Sequence, residues 1–332
     1  MGFLLAVAFS AALFQTPGSC EQGRSLFLAR SYQEARTFLW KCVLAGTPDK
    51  ERAHELALTY RDLKDYDAGL AQAQTALKEQ PRSVDLLYLI GFLQFRQGHC
   101  RQSVETLERA YHLDPLDWRV HHVFALDYVV LDIKPGAQAE FQNAISLNPR
   151  NAELHYQLAR FYFSDNRPQE SIDESKKALA LFPDYAEAYD NLGLCYQALA
   201  DTERATAAFQ RSVELGRKYA VKDEWPFLNY ANYLIKLGNA EQSLPLLEQA
   251  IAVNPRSAKA RYYLGRALWR LNRNAEAKRY LEESIQLDAN DPGPYYELGT
   301  LLAREGDWGH AKPLFERFEV LRKQPETRRN EK

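Results

Sequence analysis

The chain has 332 residues, with 42 Lys and Arg against 44 Asp and Glu and a formal net charge of −2. That balance excludes the basic footprint of a nucleic-acid-binding surface, and the length permits a large core that ordinary domain sizes would divide in two. One Met against 19 Tyr points to a core of rigid rings and aliphatics.

Residues 3–14, FLLAVAFSAALF, form an apolar run without charge, too short to span a bilayer. It has two readings. It is the apolar segment of a secretory signal peptide over residues 1–19, with Gln15 to Ser19 as the cleavage zone, or it is the first helix of an end repeat. No Lys or Arg precedes Arg24, so the positive segment of a signal is missing. Cys20 follows Gly18-Ser19, as in bacterial lipoprotein signals, although Pro17 departs from the aliphatic residue such signals favour. Lipidation at Cys20 would bring the chain to a membrane.

Residues 20–48 read as a degenerate first repeat, with Ser31-Tyr32-Gln33-Glu34-Ala35 as a turn and the start of a second helix. An antiparallel hairpin centred near Ser31 places Cys20 opposite Cys42, within disulfide reach. Two unpaired, half-buried cysteines are the alternative. Cys100 and Cys195 fall inside later repeats and read as core thiols.

Residues 50–323 carry a fixed period. Pro81, Pro115, Pro149 and Pro183 lie 34 residues apart, and Pro255 follows two periods plus four residues later. Gly91, Ala125, Ala159, Gly193, Ala231, Gly265 and Gly299 keep the same step and the same slip, each after a bulky apolar residue. A fixed period in this range marks a repeat array. Within Ala152–Pro183, Leu154, Leu158, Phe161 and Tyr162 recur at helical spacing. Asn166-Arg167-Pro168 breaks that helix and opens the next, where Ile172, Ser175, Ala178 and Leu179 resume the pattern. Each unit is therefore an αα-hairpin, and units must stack to cover their apolar faces. About eight such units are expected. The four extra residues near Gly216 to Lys222 read as one added helical turn or a looped-out connector. Pro245 and Pro313 fall early inside second helices, where they cause only mild kinks. Residues 324–332 read as a frayed polar tail.

This pattern resembles the tetratricopeptide repeat family. The resemblance rests on the Leu-Gly and Leu-Ala pairs, the tyrosines Tyr60, Tyr128, Tyr162 and Tyr196, and the turn glycines Gly98, Gly238 and Gly306. Phe141, Phe209 and Phe315 on the second helices and the closing prolines complete it. It covers about Lys50 to Lys323. It implies an all-α fold, a right-handed α-solenoid of stacked antiparallel helix pairs, whose first helices line a concave surface. Carried over by motif position, that surface begins with Tyr88, Phe92 and Phe95, then His122, Leu126 and Val129. Tyr156, Arg160, Phe163, Asp190, Asn191 and Leu194 follow. Asn229, Asn232, Lys236, Tyr262, Tyr263, Arg266, Trp269, Arg270 and Tyr296 complete it. The early part is apolar and the later part rich in amides and cations. That gradient suits an extended segment with an apolar anchor at one end and acidic groups at the other. The Lys-and-Asn carboxylate clamp of the family's chaperone adaptors is not reproduced, since His54 and Leu58 stand in its places.

Catalytic signatures do not emerge. The seven histidines lack zinc-motif spacing with another His or Cys, and there is no phosphate loop, nucleophile elbow or CxxC. The expectation is a non-catalytic scaffold without metal or cofactor that holds a protein or peptide and no nucleic acid, in a bacterial periplasm or cell envelope. A cytoplasmic location is the alternative. Two further readings are an envelope assembly factor for pilus or outer-membrane machinery and an accessory region related to glycan-transfer enzymes. Leu314, Phe315, Phe318 and Leu321 leave the last helix apolar, so that either Phe318 plugs the open end or that end docks a partner or a second copy of the chain.

Overall fold

A computed structural model describes residues 17–46, 49–220 and 223–323. The expected signal segment lies outside them, apart from Pro17 to Ser19, which open the first helix; so does the tail at 324–332. Among the described residues there are 18 helices and no strand. The chain divides into two compact units, residues 1–154 and 155–332.

The first unit holds four helix pairs: α1 (Pro17–Leu28) with α2 (Tyr32–Ala45), α3 (Lys50–Leu63) with α4 (Tyr66–Glu79), α5 (Val84–Arg96) with α6 (Cys100–Leu113), and α7 (Trp118–Val130) with α8 (Lys134–Leu147). The unit boundary falls near the start of α9 (Ala152–Ser164). In the second unit α9 is followed by α10 (Pro168–Leu181), α11 (Ala186–Ala198), α12 (Thr202–Lys218), α13 (Trp225–Lys236) and α14 (Ala240–Val253). The last two pairs are α15 (Ala258–Arg270) with α16 (Asn274–Leu287) and α17 (Pro292–Arg304) with α18 (Trp308–Arg322). Within each unit, consecutive helices pack together, and so do neighbouring first helices such as α3 with α5 or α11 with α13.

One backbone device ends every first helix. Arg30, Lys64, Gly98, Asp132, Asn166, Ala200, Gly238, Asn272 and Gly306 all have positive φ, one per pair, in register with the period and its slip. The next residue donates its N–H to the carbonyl five residues back, as Asp65 does to Tyr60 and Asp201 to Tyr196, both in unbroken series. This is the Schellman closure, which satisfies a carbonyl the helix end leaves open. Arg30 shows that α1 and α2 share the register of the later pairs. Six first-helix starts are capped alike, whereas Tyr185 before α11 and Glu224 before α13 are not. Asp49, Ser83, Asp117, Asn151, Ser257 and Asp291, two residues beyond the closing prolines where these occur, each accept from a backbone N–H of the first turn.

Close packing within a pair follows from the recurring small residue. Gly91 faces Leu107, Gly193 faces Phe209, Gly265 faces Leu281 and Gly299 faces Phe315, always 16 residues on. A methyl group at Gly193 would sit 2.6 Å from the Phe209 ring, which no real contact allows. Buried serines tie the pair further: Ser103 donates to the Gly91 carbonyl at 2.8 Å and Ser171 to that of Ala159 at 2.7 Å.

Of the two readings of the four-residue slip, the lengthened helix accounts for three of the residues and the connector before α13 for the rest. The second helix α12 has 17 residues where α10 and α14 have 14. Its added end is held to Asp184 by Tyr219 and by Lys218 at 2.9 Å. Pro245 and Pro313 sit in the second turn of α14 and α18, which continue through them. Cys20 and Cys42 are joined in a disulfide between α1 and α2 with their Cα atoms 5.7 Å apart, while Cys100 and Cys195 are free and buried. Among the described residues no helix is long and apolar enough to cross a membrane.

Candidate functional site

The second unit contains a cleft of about 570 Å³. Its walls come from the first helices α9, α11 and α13, with Asp223 from the connector that follows the lengthened α12. Tyr156, Phe163, Leu194 and Trp225 supply its apolar surface; Glu187, Asp190, Asp223 and Arg160 supply charge. Trp225 is 48% exposed. The spacing behind this is simple. Tyr156, Arg160 and Phe163 sit three and four residues apart, one face of a helix, and Asp190, Asn191 and Leu194 repeat that face one period on.

Asp190 is the unusual group. It is only 8% exposed. Its Oδ2 accepts from Asn229 Nδ2 at 2.6 Å, while its buried Oδ1 has no partner among the described residues. Burial, then the nearby Asp223 and Glu187 charges, push its pKa up to about 7 against the Asn229 hydrogen bond and, more weakly, the Arg160 charge. Arg160 leans over the Tyr156 ring at 5.9 Å, and burial raises the Tyr156 phenol.

Of the residues expected on the binding face, Tyr156, Arg160, Asn191 and Asn229 meet in this cleft. Asn191 is nonetheless a correction. It is 4% exposed, and its Nδ2 donates to Ser171 at 2.8 Å and Ser175 at 2.9 Å on α10. Two serines one turn apart claim the amide, so it holds the pair together at the back of the cleft. Farther along this unit, Arg266 pairs with Glu297 at 3.2 Å and reaches Asn232 Oδ1 at 3.4 Å. Tyr262 is half-buried beside Tyr263 and Lys259. Lys236 and Arg270 are exposed.

The first unit supplies a second correction. Tyr88 is 0% exposed and Phe92 is buried, with Phe95 half-buried beside them. Tyr88 shares a hydrogen bond of 2.8 Å with His54 Nδ1, and the Arg119 guanidinium lies 4.8 Å over its ring. Adjacent first helices pack so closely here that residues expected on the surface become core. Arg119 is itself buried. It donates to Asp117 and to the Lys50 carbonyl at 2.7 Å, and pairs with Asp85 at 2.7 Å. Burial holds His54 and His122 below the ordinary histidine pKa, so both rings are neutral at neutral pH.

The cleft itself is acidic and aromatic. Motif reasoning missed Glu187, Asp223 and Trp225. The signal for the last two was available, because both follow the slip directly. Among the described residues no group of three or more His, Cys, Asp or Glu is placed to hold a metal ion.

Two family models described as tetratricopeptide repeat match the chain, one at residues 54–98 and 228–292 and the other at 150–218. BBSome complex member BBS4 of Bos taurus is 22% identical over 89% of this chain and 56% of its own length. The type IV pilus assembly protein PilF of Pseudomonas aeruginosa is 22% identical over 50% of this chain and 65% of its own. A PilF structure aligns with TM-score 0.53 at 19% identity, covering 61% of this chain and 91% of that one. The Cut9–Hcn1 structure from the anaphase-promoting complex aligns with TM-score 0.69 at 12% identity, over 85% of this chain and 54% of that one. The chain spans about half or less of the length of the first curated relatives it matches. With matched segments in both units and a 34-residue register kept, apart from one four-residue slip, through the nine described hairpins, the chain belongs to the tetratricopeptide repeat family.

Proposed function

We propose that this chain is a non-catalytic scaffold that holds an extended protein or peptide segment against its first helices, with the cleft between Tyr156 and Asn229 as an anchoring point. One observation carries this reading: three successive first helices leave aromatic and polar side chains facing an open depression instead of spending them in the core. A preformed, partly apolar cleft with a few convergent polar groups is the usual form of a binding site. Large exposed rings in such places dominate binding energy.

Panning a phage-displayed peptide library against the chain tests it. The expected result is a shared sequence motif whose affinity for Trp225→Ala falls about tenfold or more, with an unchanged melting temperature because Trp225 is half exposed. Recovery of unrelated sequences, or equal affinity for Trp225→Ala, refutes the scaffold reading.

The disulfide supports a further element of this proposal, that the chain works in an oxidising compartment such as the periplasm or cell envelope. There it would serve an assembly machinery of the kind named for PilF. The chain isolated from its native compartment should show two free thiols, Cys100 and Cys195, under denaturing, non-reducing conditions. A count of four sinks the exported reading.

A further inference from the structure

We propose that the cleft selects a cationic side chain, lysine or arginine, from the bound segment; this deepens the scaffold reading and rests on it. Three carboxylates, Glu187, Asp190 and Asp223, line the cleft against the single guanidinium of Arg160. Charge count alone would mean little. The deciding group is Asp190, nine-tenths buried, with Oδ2 committed to Asn229 and Oδ1 facing no donor among the described residues. A buried acceptor left unpaired is costly, and native structures rarely tolerate one without a reason. A guanidinium or ammonium group supplies the missing donor as a charge-assisted bond. The rings of Tyr156, Phe163 and Trp225 in the same cleft offer faces to such a cation and apolar cover to its methylene stem. Arg160 already leans over Tyr156, which shows that a cation fits that ring.

The same geometry sets a pH dependence. Asp190 is faced by Asn229 from α13, Asp223 from the connector, Glu187 from its own helix and Arg160 from α9. Its burial leaves it partly protonated near neutral pH. A cation binds the ionised form, so affinity rises from pH 6 to pH 8 and levels off above.

The test uses N-acetyl-arginine methylamide and its citrulline analogue, which keeps the shape and removes the charge. Each is titrated into the full chain while the side-chain amide signals of Asn229 and Asn191 are followed by NMR. The arginine compound is expected to shift them, with an affinity at least about tenfold above that of the citrulline compound. Asp190→Asn, nearly isosteric and able to keep the Asn229 bond, should lose about tenfold and flatten the pH response. Asp223→Asn, at the rim, should lose less and guards against a folding defect in the first variant. Equal response to citrulline, or full affinity in both variants, overturns the proposal. Library peptides that lack Lys and Arg yet depend on Trp225 would also overturn it while leaving the scaffold standing. An arginine response without any selected peptide would keep the cation site and remove the scaffold.

Discussion

Arg119→Ala is expected to destabilise the first unit by about 3–5 kcal/mol, the usual cost of removing one partner from a buried charge network. The side chain is 1% exposed and its fork meets Asp117, Asp85 and the Lys50 carbonyl at once. Asp117 has no exposed side-chain surface, so its carboxylate would remain in the core with only Lys50, 3.9 Å away, as a counter-ion. Asp85 is already pushed up by burial, and Arg119 is the largest influence acting against that rise. The Tyr88 ring would lose the cation stacked on it as well. Arg119→Lys should recover only part of the loss, because an ammonium group cannot fork onto two carboxylates and a carbonyl. Urea denaturation followed by circular dichroism reads both. A loss below about 1 kcal/mol for Arg119→Ala would show that water or rearranged neighbours satisfy the acids, and that the network is not a stabilising junction.

The second large effect belongs to the close contact inside a pair. Phe209→Ala is expected to cost about 3–5 kcal/mol, because a fully buried ring is lost and a cavity remains. Gly193→Ala alone should cost about 1–3 kcal/mol, since its methyl group would press on that ring. In the double variant the added methyl enters space the ring has vacated. The two costs should therefore fall short of additive by at least about 1 kcal/mol, in the direction of mutual rescue. Strict additivity would mean that the small residue is there for another reason. The same cycle at Gly265 and Leu281 should behave alike, with a smaller term for the smaller side chain.

The fold was legible because its signals are local and repeated. Bulky-then-small pairs and closing prolines locate each helix pair without knowledge of its neighbours. The turns were legible where Gly98, Gly238 and Gly306 advertise positive φ, where Asn166-Arg167-Pro168 breaks the helical pattern, and at Ser31 in the first pair. Asp132, Asn166 and Asn272 tolerate it, whereas Lys64 and Ala200 adopt it because the backbone closure imposes it. The binding face was less legible. Motif position says which way Tyr88 or Asn191 points along its helix. Whether the next helix covers it depends on long-range contacts: Arg119 for Tyr88, Ser171 and Ser175 for Asn191. Asp190 lines the cleft together with other residues of its motif position, but its unpaired oxygen is a property of packing and has no counterpart in the spacing of residues.

The lengthened α12 has a consequence for how a ligand would find its place. Along a strictly periodic track, one extended chain meets nearly the same contacts after every shift by a whole repeat, so several alignments compete at similar energy. The phase jump after α12 removes that degeneracy. It sets Asp223 and Trp225 in one cleft with Asp190 at a location that no translation reproduces, and so would give a segment bound there, as proposed above, a fixed origin.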